Sequence, residues 1–579
     1  MIPSKMSEWL ERFRIQLARP DAILPLSFLG LVAGILAALT VIALRLLVDA
    51  AQTTLYPMTQ AGDFESLPWH WRVATALAGG LLIGVLFRLV SAPAQTVGVL
   101  HVIERLAYHQ GRLPWINAVV QFFGGAISMI AGHSVGREGP SAHLGAASSN
   151  LPAQALGLPH NSLRVLTACG AAAGIAASFN TPLAGAVFAM EVLMLEYTVA
   201  GFAPVILATV SATAISQLVF GNTYTFSVPE LHLGSVAQLP YILVCGVLIG
   251  LLAAGFNALF QQVALHSRRL PPWSRPVLAG LLVGVCGLFV PEVMGIGDDT
   301  VNAILSGETA LRLLLVVLIV KVLATAGGIG LGLPGGIIGP TFFIGAAAGG
   351  LLGAIGIQLG FIEPGSVGLY AMIGMGAMMA ATLQAPMAGL IAILELTGEP
   401  NFILPGMLAV VTSTIVSGRL FRHESLFHTL LRGRGLDYRS DPVAQSLRRV
   451  GVASAMNRKI VVLPRQAETR QVDRALQNEP VWVLVKEKEA DPPQMALAGV
   501  DLALARKQSP EADQFDLLEL PGERRTLVAV DMRATMEEAR QLLHDSGKEM
   551  ACVVSQNVPG LPRIYGVLSQ DEVEGSYRY

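Results

Sequence analysis

The sequence predicts an all-α polytopic membrane protein with two homologous halves and broken helices, followed by a small α/β domain. The first supporting observation is the distribution of charge, because 41 of the 80 charged residues lie in the last 143 of 579 residues. Residues 1–436 therefore have membrane composition, whereas residues 437–579 exceed the charged content of about 25% that is usual for soluble domains. The other two observations are long apolar runs and an internal repeat.

Several apolar runs approach or reach the length that crosses a bilayer. The clearest lie at residues 24–48, 73–90, 242–260, 276–290 and 402–416. Other apolar stretches, between residues 122 and 194 and between residues 322 and 396, are shorter and interrupted by Gly, Pro, Ser or Asn. They predict helices that stop within the membrane, where irregular backbone is tolerated only if it is buried or lines a polar cavity.

Two blocks of sequence recur in the same order at nearly constant spacing. Residues 139–147, GPSAHLGAA, align with residues 339–347, GPTFFIGAA, 200 positions later. Residues 170–191 align without a gap with residues 374–395, 204 positions later. Two ordered blocks are not expected by chance, so we expect two homologous halves. Membrane proteins of this kind commonly hold their ligand where the halves meet.

Charge outside the apolar runs predicts the orientation. A basic amphipathic stretch at residues 1–19, without the pattern of a signal peptide, precedes the first run, and arginines follow the last run. By the positive-inside rule we expect both termini in the cytoplasm. The net charge of −2 gives no indication of a nucleic-acid partner, and the four widely spaced cysteines predict neither a metal site nor a disulfide framework.

The dipeptides at 139–140 and 339–340, both Gly-Pro, are suited to helix starts, because proline at the first helical position has no N–H to lose. A helix that begins inside the membrane directs unpaired N–H groups and the positive end of its dipole at whatever faces it. Two such starts that face each other predict an anion site that requires no lysine or arginine.

Glu138 directly precedes the first of these helix starts. Its carboxylate could occupy the place of an anion, so that the ionised form blocks the site and the protonated form opens it. The alternative is a helix-capping glutamate that pairs with Arg137. An ionisable residue within the membrane is a functional candidate by default.

At these residues the sequence resembles the CLC family of chloride channels and proton/chloride exchangers. The motif GREGP is intact at 136–140, and a second family motif appears as GIIGP at 336–340, with Ile338 where an aromatic residue is usual. The resemblance covers about residues 25–434. It implies inverted-topology repeats at about 25–220 and 240–434, a homodimer in membrane lipid, one pathway for chloride and similar small anions per subunit, and Glu138 as the gate. The anion-binding or pore-lining positions that it implies are Val97, Gly98, Gly136, Arg137, Gly139, Gly336, Ile337, Ile338 and Phe427.

Two differences from the family concern the central anion site. Val97 replaces a serine and Phe427 replaces a tyrosine, so both side-chain hydroxyls that hold the central anion in the family are missing. A lost hydrogen bond costs roughly 1–3 kcal/mol. We therefore expect weak central binding that depends on backbone amides.

A third difference concerns protons. Val192 occupies the position of the internal glutamate that relays protons in exchangers of the family. Because valine carries no proton, we favour passive, channel-like conduction. The alternative is a proton-coupled chloride exchanger, since relatives without this glutamate can still exchange protons through water. A fluoride exporter is a further alternative, although such relatives lack a comparable C-terminal domain.

His101 and His143 flank these motifs and could titrate near neutral pH. His143 follows Glu138 within the same predicted helix and could tune it. The interpretation that we favour is packing among small residues.

Residues 437–579 resemble a pair of CBS repeats, because the order strand, helix, strand occurs twice. The best match is GVLSQDE at 566–572, which puts Ser569 and Asp571 or Glu572 near the ribose-contacting position of that family. Adenine nucleotide is therefore a candidate ligand. Since the first repeat has no convincing counterpart, we favour a dimerising module without a cofactor.

Other functional classes are less compatible with the sequence. An intramembrane hydrolase would require a zinc motif or a serine with a base, and neither is evident, so we expect a protein that is not an enzyme. A sensory protein with a sealed pore remains an alternative that anion flux would exclude. The prediction is an anion-transporting protein of the bacterial inner membrane.

Overall fold

The computed structural model describes residues 4–58, 60–222, 224–226, 228, 235–420, 424–436, 441–487, 493–555 and 563–575. By their contacts, the residues form two units. The membrane unit comprises Leu26–Gln154 and Arg164–Arg439, and the tail unit comprises Met1–Pro25, Ala155–Leu163 and Ser440–Tyr579. The sequence predicts a division into 1–436 and 437–579. In the structure, two shorter segments of the predicted membrane part, Met1–Pro25 and Ala155–Leu163, belong to the tail unit instead. Residues 437–440, at the predicted boundary, lie outside the described residues.

Up to residue 455, the regular elements of the described residues are helices. Its α-helices are α1 (Ser4–Leu17), α2 (Ile23–Leu55), α3 (Trp69–Leu89), α4 (Gly98–Tyr108), α5 (Trp115–Ile130), α6 (Glu138–Ala155), α7 (His160–Phe179), α8 (Pro182–Phe188), α9 (Val199–Phe220), α10 (Leu239–Ser267), α11 (Ser274–Phe289), α12 (Asp298–Leu305), α13 (Leu311–Gly330), α14 (Ile338–Gln358), α15 (Val367–Leu383), α16 (Pro386–Thr397), α17 (Ile403–Ile415), α18 (Leu426–Gly433), α19 (Pro442–Arg449) and α20 (Val452–Ala455). Short 3₁₀ turns lie at Ala92–Gln95, Val236–Gln238, Pro291–Val293 and Pro400–Phe402, and π-helical segments lie at Ala189–Met194 and Val416–Leu420.

Within the described residues, eight helical segments are long and apolar enough to cross a membrane. They are Ile23–Leu55, Trp69–Leu89, His160–Phe179, Gly201–Phe220, Val236–Ser267, Leu311–Gly330, Ile338–Gln358 and Pro400–Arg419. Shorter apolar helices, among them the seven-residue α8 and the twelve-residue α16, lie between them. The predicted polytopic fold with broken helices is confirmed.

The two halves repeat their close helix packing. A Cβ on Gly145 in α6 would overlap the backbone of Gly170 in α7, and a Cβ on Gly345 in α14 would overlap the backbone of Gly374 in α15. Small residues allow helices in a membrane to approach this closely. The equivalent crossings confirm that the sequence repeat is a structural repeat.

The tail unit contains an α/β sheet. Its strands are β1 (Ile460–Pro464), β2 (Gln466–Glu468), β3 (Trp482–Lys486), β4 (Met495–Ala498), β5 (Gln514–Asp516), β6 (Arg524–Asp531), β7 (Met550–Ser555) and β8 (Arg563–Ser569), and its further helices are α21 (Thr469–Leu476), α22 (Gly499–Gln508), α23 (Met536–Ser546) and α24 (Gln570–Gly575). Six strands form one sheet in the order β1-β3-β4-β6-β7-β8, and β2 pairs with β5. The parallel pairs β1–β3 and β6–β7 each enclose a crossover helix, followed by an antiparallel strand. This repeated order is consistent with the CBS-like pair that the sequence predicts.

The tail unit also includes α1 and the connector between α6 and α7. Asn161 donates to the carbonyls of Leu17 and Arg449 at 3.1 and 3.2 Å. His160 lies against Glu538 on α23, with 2.9 Å between Nδ1 and Oε2. The connector, residues 155–163, is thus held by both the N-terminal helix and the second half of the sheet domain.

Candidate anion pathway

The N-terminal ends of α6 and α14 meet through their preceding glycines. Gly136 donates its N–H to the carbonyl of Gly336 at 2.8 Å, and Gly336 donates to the carbonyl of Gly136 at 2.7 Å. This antiparallel bridge joins equivalent residues of the two halves. The positive ends of both helix dipoles therefore converge on one place.

Glu138 lies between these glycines. Its carboxylate is fully buried, and Oε1 accepts a hydrogen bond from the backbone N–H of Ile338, the first residue of α14. A Cβ at either Gly136 or Gly336 would overlap the carboxylate in this position, and one at Gly336 would also lie 2.5 Å from the backbone nitrogen of Gly139. The carboxylate of one half thus occupies the helix start of the other half, which is where an anion would bind.

Arg137 is not the partner of Glu138. Its guanidinium lies 3.9 Å from the carboxylate of Asp298 and 4.6 Å from the ring centre of Phe179. Oε2 of Glu138 has no hydrogen-bond partner among the described residues. This geometry gives no ion pair with Arg137, whereas the carboxylate of Glu138 does cap α14, the helix of the other half.

A third helix start, that of α4, borders the cavity that Glu138 lines. α4 begins at Gly98, whose φ of +80° favours glycine, after Val97 in extended conformation. A cavity of about 450 Å³ is lined by Val97, Gly98, Glu138, Gly139, Gly336, Ile337, Ile338 and Phe427, all of them predicted from the sequence. Neither Gly136 nor Arg137 lines it. Arg137 instead lines a second cavity of about 410 Å³ together with Arg45, Asp49 and Asp298.

Sequence reasoning missed the basic residues of the cavity that Glu138 lines. Arg268, Arg275 and Arg434 contribute to its lining. Arg434 forms an ion pair with Glu104 at 3.1 Å. The run HSRRLPPWSR at 266–275 could have indicated a basic mouth, because three of its ten residues are arginines.

Val192 is buried in the π-helical segment Ala189–Met194. It lines a separate cavity of about 320 Å³ whose wall also includes Arg419, Glu424 and His428. The sequence did not predict this group, because Glu424 and His428 lie more than 230 positions after Val192. The valine therefore has titratable neighbours, although it cannot itself carry a proton.

His101 and His143 form a buried pair rather than packing only among small residues. The distance between Nδ1 of His101 and Nε2 of His143 is 3.1 Å. Nδ1 of His143 lies 3.4 Å from Oε1 of Gln121. This chain of polar groups connects α4, α6 and α5.

In the tail unit, Ser569 ends β8 and meets Glu572 rather than Asp571. The backbone N–H of Ser569 donates to Glu572 Oε2 at 2.7 Å, and its hydroxyl lies 3.1 Å from the same oxygen. Asp571 is exposed in the first turn of α24. The carboxylate next to the predicted serine is thus already engaged in capping the helix.

Comparison with known proteins agrees with this geometry. The family model described as voltage gated chloride channel matches residues 79–418. A putative chloride channel protein, ClcB-like, from Ralstonia nicotianae is 33% identical over 362 residues, which cover 61% of this chain and 84% of the relative.

Solved structures have the same fold. A slow cyanobacterial Cl⁻/H⁺ antiporter, 25% identical, superposes with a TM-score of 0.61 over 71% of this chain and 97% of its own. A eukaryotic CLC transporter, 20% identical, superposes with a TM-score of 0.60 over 95% of this chain and 98% of its own. The family model, the relatives and the convergent helix starts lead to one conclusion: the chain belongs to the CLC family of voltage-gated chloride channels and related transporters.

Proposed function

We propose that the protein transports chloride and similar small anions across a bacterial inner membrane and that Glu138 gates the pathway. The observation that carries the proposal is the hydrogen bond from the Ile338 N–H to the Glu138 carboxylate. A carboxylate and a chloride ion compete for the same donors, because both are anions and the site offers backbone N–H groups. Protonation of Glu138 removes that competition.

The mode that we propose is channel-like and uncoupled from protons. Val192 replaces the residue that would relay protons, and the Ralstonia relative is described as a chloride channel protein. The central site has no serine or tyrosine hydroxyl at positions 97 and 427, so the anion is held weakly by backbone amides. Weak binding favours rapid passage of the ion.

Proton-coupled exchange is the second candidate. It is favoured by the likeness to the Cl⁻/H⁺ antiporter and by the cavity that places Glu424 and His428 beside Val192. A polar cavity of this size has room for water, which can carry protons where valine cannot.

We further propose a homodimer with both termini in the cytoplasm and a tail that works without bound nucleotide. Support for the last point is the engagement of Ser569 by Glu572. Calorimetric titration with adenosine and its mono-, di- and triphosphates should show no binding. A saturable heat that disappears in Ser569→Ala would overturn this part.

The reversal potential of the purified protein in planar bilayers decides the mode. Under combined chloride and proton gradients, uncoupled conduction predicts a potential that follows the chloride gradient alone. A potential that shifts with the proton gradient at fixed chloride would establish exchange. Absence of any chloride-dependent current in reconstituted, dimeric protein would contradict the proposed function itself.

A further inference from the structure

Lys321 lies in the middle of α13 and is fully buried. Its Nζ donates to the carbonyls of Val293, Gly295 and Ile296 at 3.0, 3.1 and 3.4 Å. An ammonium has three N–H groups and can donate one to each of these acceptors, whereas a neutral amine has only two. The face of the Phe343 ring, 4.4 Å from Nζ, adds a cation–π contact. These contacts favour the charged form of the lysine.

The carboxylates whose charges act on Lys321 are those of Asp298 and Asp299. Within the described residues, Lys321 forms no ion pair, and Asp298, a nearby carboxylate, keeps more than a third of its side chain exposed. Buried charges are normally paired, because an isolated ion in a medium of low dielectric is costly. Among the described side chains of the membrane unit, Glu138 and Lys321 are the charged ones with no exposed surface.

Lys321 is connected to the anion site through one loop. Ile296, whose carbonyl accepts from Lys321, packs against the position of Gly339 at the start of α14. Gly297 follows in the same loop and precedes Asp298, the partner of Arg137. Because all three N–H groups of Lys321 are already donated, the lysine acts on the anion through its field and through this loop, not by direct contact.

The other half of the repeat has no such charge. Gln121 lies 17 residues before Glu138, as Lys321 lies 17 residues before Ile338, and both are fully buried. Gln121 contacts His143, and Lys321 contacts Phe343, which is the residue 200 positions after His143. The two halves therefore place a neutral amide and an ammonium at equivalent positions, and the field at the site is asymmetric.

We propose that Lys321 is an electrostatic positioning residue for the transported anion. This inference rests on the proposed anion pathway and extends it to a residue outside the lining. Removing the charge should weaken binding of the anion, since Lys321 is the cation of the described membrane unit with no exposed surface.

The test is the chloride dependence of flux from liposomes in a Glu138→Gln background, which removes competition by the gate. Lys321→Met should raise the half-saturating chloride concentration by about tenfold, with a smaller change in maximal flux, as expected for loss of a charge interaction in a medium of intermediate dielectric. Lys321→Arg should restore it. Gln121→Met is the matched control at the equivalent position and should leave the half-saturating concentration unchanged.

An unchanged half-saturating concentration in folded Lys321→Met or Lys321→Gln protein would overturn the inference. Failure of both neutral variants to fold, while Lys321→Arg folds and transports normally, would assign Lys321 a structural role only and would overturn it as well. Absence of chloride flux in the Glu138→Gln parent would instead contradict the proposed function.

Discussion

Glu191 caps the helix that carries Glu395, and Glu395 caps the helix that precedes Glu191. The Glu191 carboxylate accepts from the N–H groups of Met387 and Ala388 at 3.2 and 2.7 Å. The Glu395 carboxylate accepts from Leu183 and Ala184 at 2.9 and 2.7 Å. Neither helix has a capping side chain of its own, so each half supplies the cap of the other.

Loss of either cap should destabilise the membrane unit. A carboxylate at a helix N-terminus contributes about 0.5–2 kcal/mol. Glu191→Gln and Glu395→Gln should therefore each lower the thermal unfolding temperature in detergent, and the double variant should lower it further. Glu399→Gln is the control, because Glu399 accepts from its near neighbour Asn401 within one half. Equal stability of the unaltered protein, the two single variants and the double variant would contradict reciprocal capping.

Glu138→Gln should give high flux that is nearly independent of external pH. Glutamine matches the protonated carboxyl in shape and charge, so it cannot compete as an anion for the Ile338 N–H. In the unaltered protein, flux should rise as external pH falls. Asp49→Asn, which removes a carboxylate from the neighbouring cavity, should keep this pH dependence. If Glu138 serves only as a cap, glutamine should cost about 0.5–2 kcal/mol of stability and leave the pH profile unchanged.

Uncoupled conduction predicts that a chloride gradient drives no uphill proton movement in liposomes. The physical reason is that Val192 offers no site for a proton on the path to Glu138. Sustained proton uptake at a fixed ratio to chloride would contradict this expectation. In that case Glu424→Gln and His428→Gln, which alter the cavity beside Val192, should slow proton movement more than chloride movement.

Restoring the missing hydroxyls should tighten chloride binding. A neutral hydrogen bond contributes a net 0.5–1.5 kcal/mol, or roughly two- to tenfold in affinity. Calorimetric titration should show weak or undetectable heat for the unaltered protein and measurable binding after Val97→Ser and Phe427→Tyr together. Val99→Ser adds a hydroxyl elsewhere on the same cavity and should have no such effect. Tight binding by the unaltered protein would show that backbone amides suffice.

The contact between His160 and Glu538 predicts a pH dependence of the tail. Burial acts to raise the pKa of Glu538, but the contact with His160 and the hydrogen bonds from Thr535 together lower that pKa below its ordinary value. A carboxyl with a depressed folded pKa stabilises the fold above its unfolded pKa, roughly 4.3, and loses this contribution as pH falls through the folded value. Glu538→Gln should remove about 1–2 kcal/mol near pH 7 and little at pH 3.

Hydrogen exchange of the tail in the full-length protein would measure this difference. Glu574→Gln is the matched control, because Glu574 is exposed on α24 and accepts only from Gln570 among the described contacts. Equal protection of the Glu538→Gln and unaltered proteins at neutral pH would contradict the expectation.

Local sequence was sufficient to find the helix starts, Glu138 and the repeat. Gly-Pro indicates a helix start, and a lone carboxylate in an apolar segment indicates a functional residue. Local sequence was insufficient for Lys321, although a lysine amid apolar residues is itself informative, because its acceptors lie 25 to 28 positions away. The reciprocal caps join residues about 200 positions apart, so no window of sequence contains both partners. The connector at 155–163 escaped prediction for the same reason, since its partners are at both ends of the chain.

The bridge between Gly136 and Gly336 has a consequence for biosynthesis. A ribosome that adds about 5–20 residues per second completes the first glycine some 10–40 s before the second. During that interval the start of α6 lies without its partner, and the unpaired N–H and C=O groups need water, lipid headgroups or an insertion factor. Substitutions at Gly336 should therefore leave the start of α6 without its partner also in the finished chain and raise its degradation, which pulse-chase labelling of the full-length protein would detect.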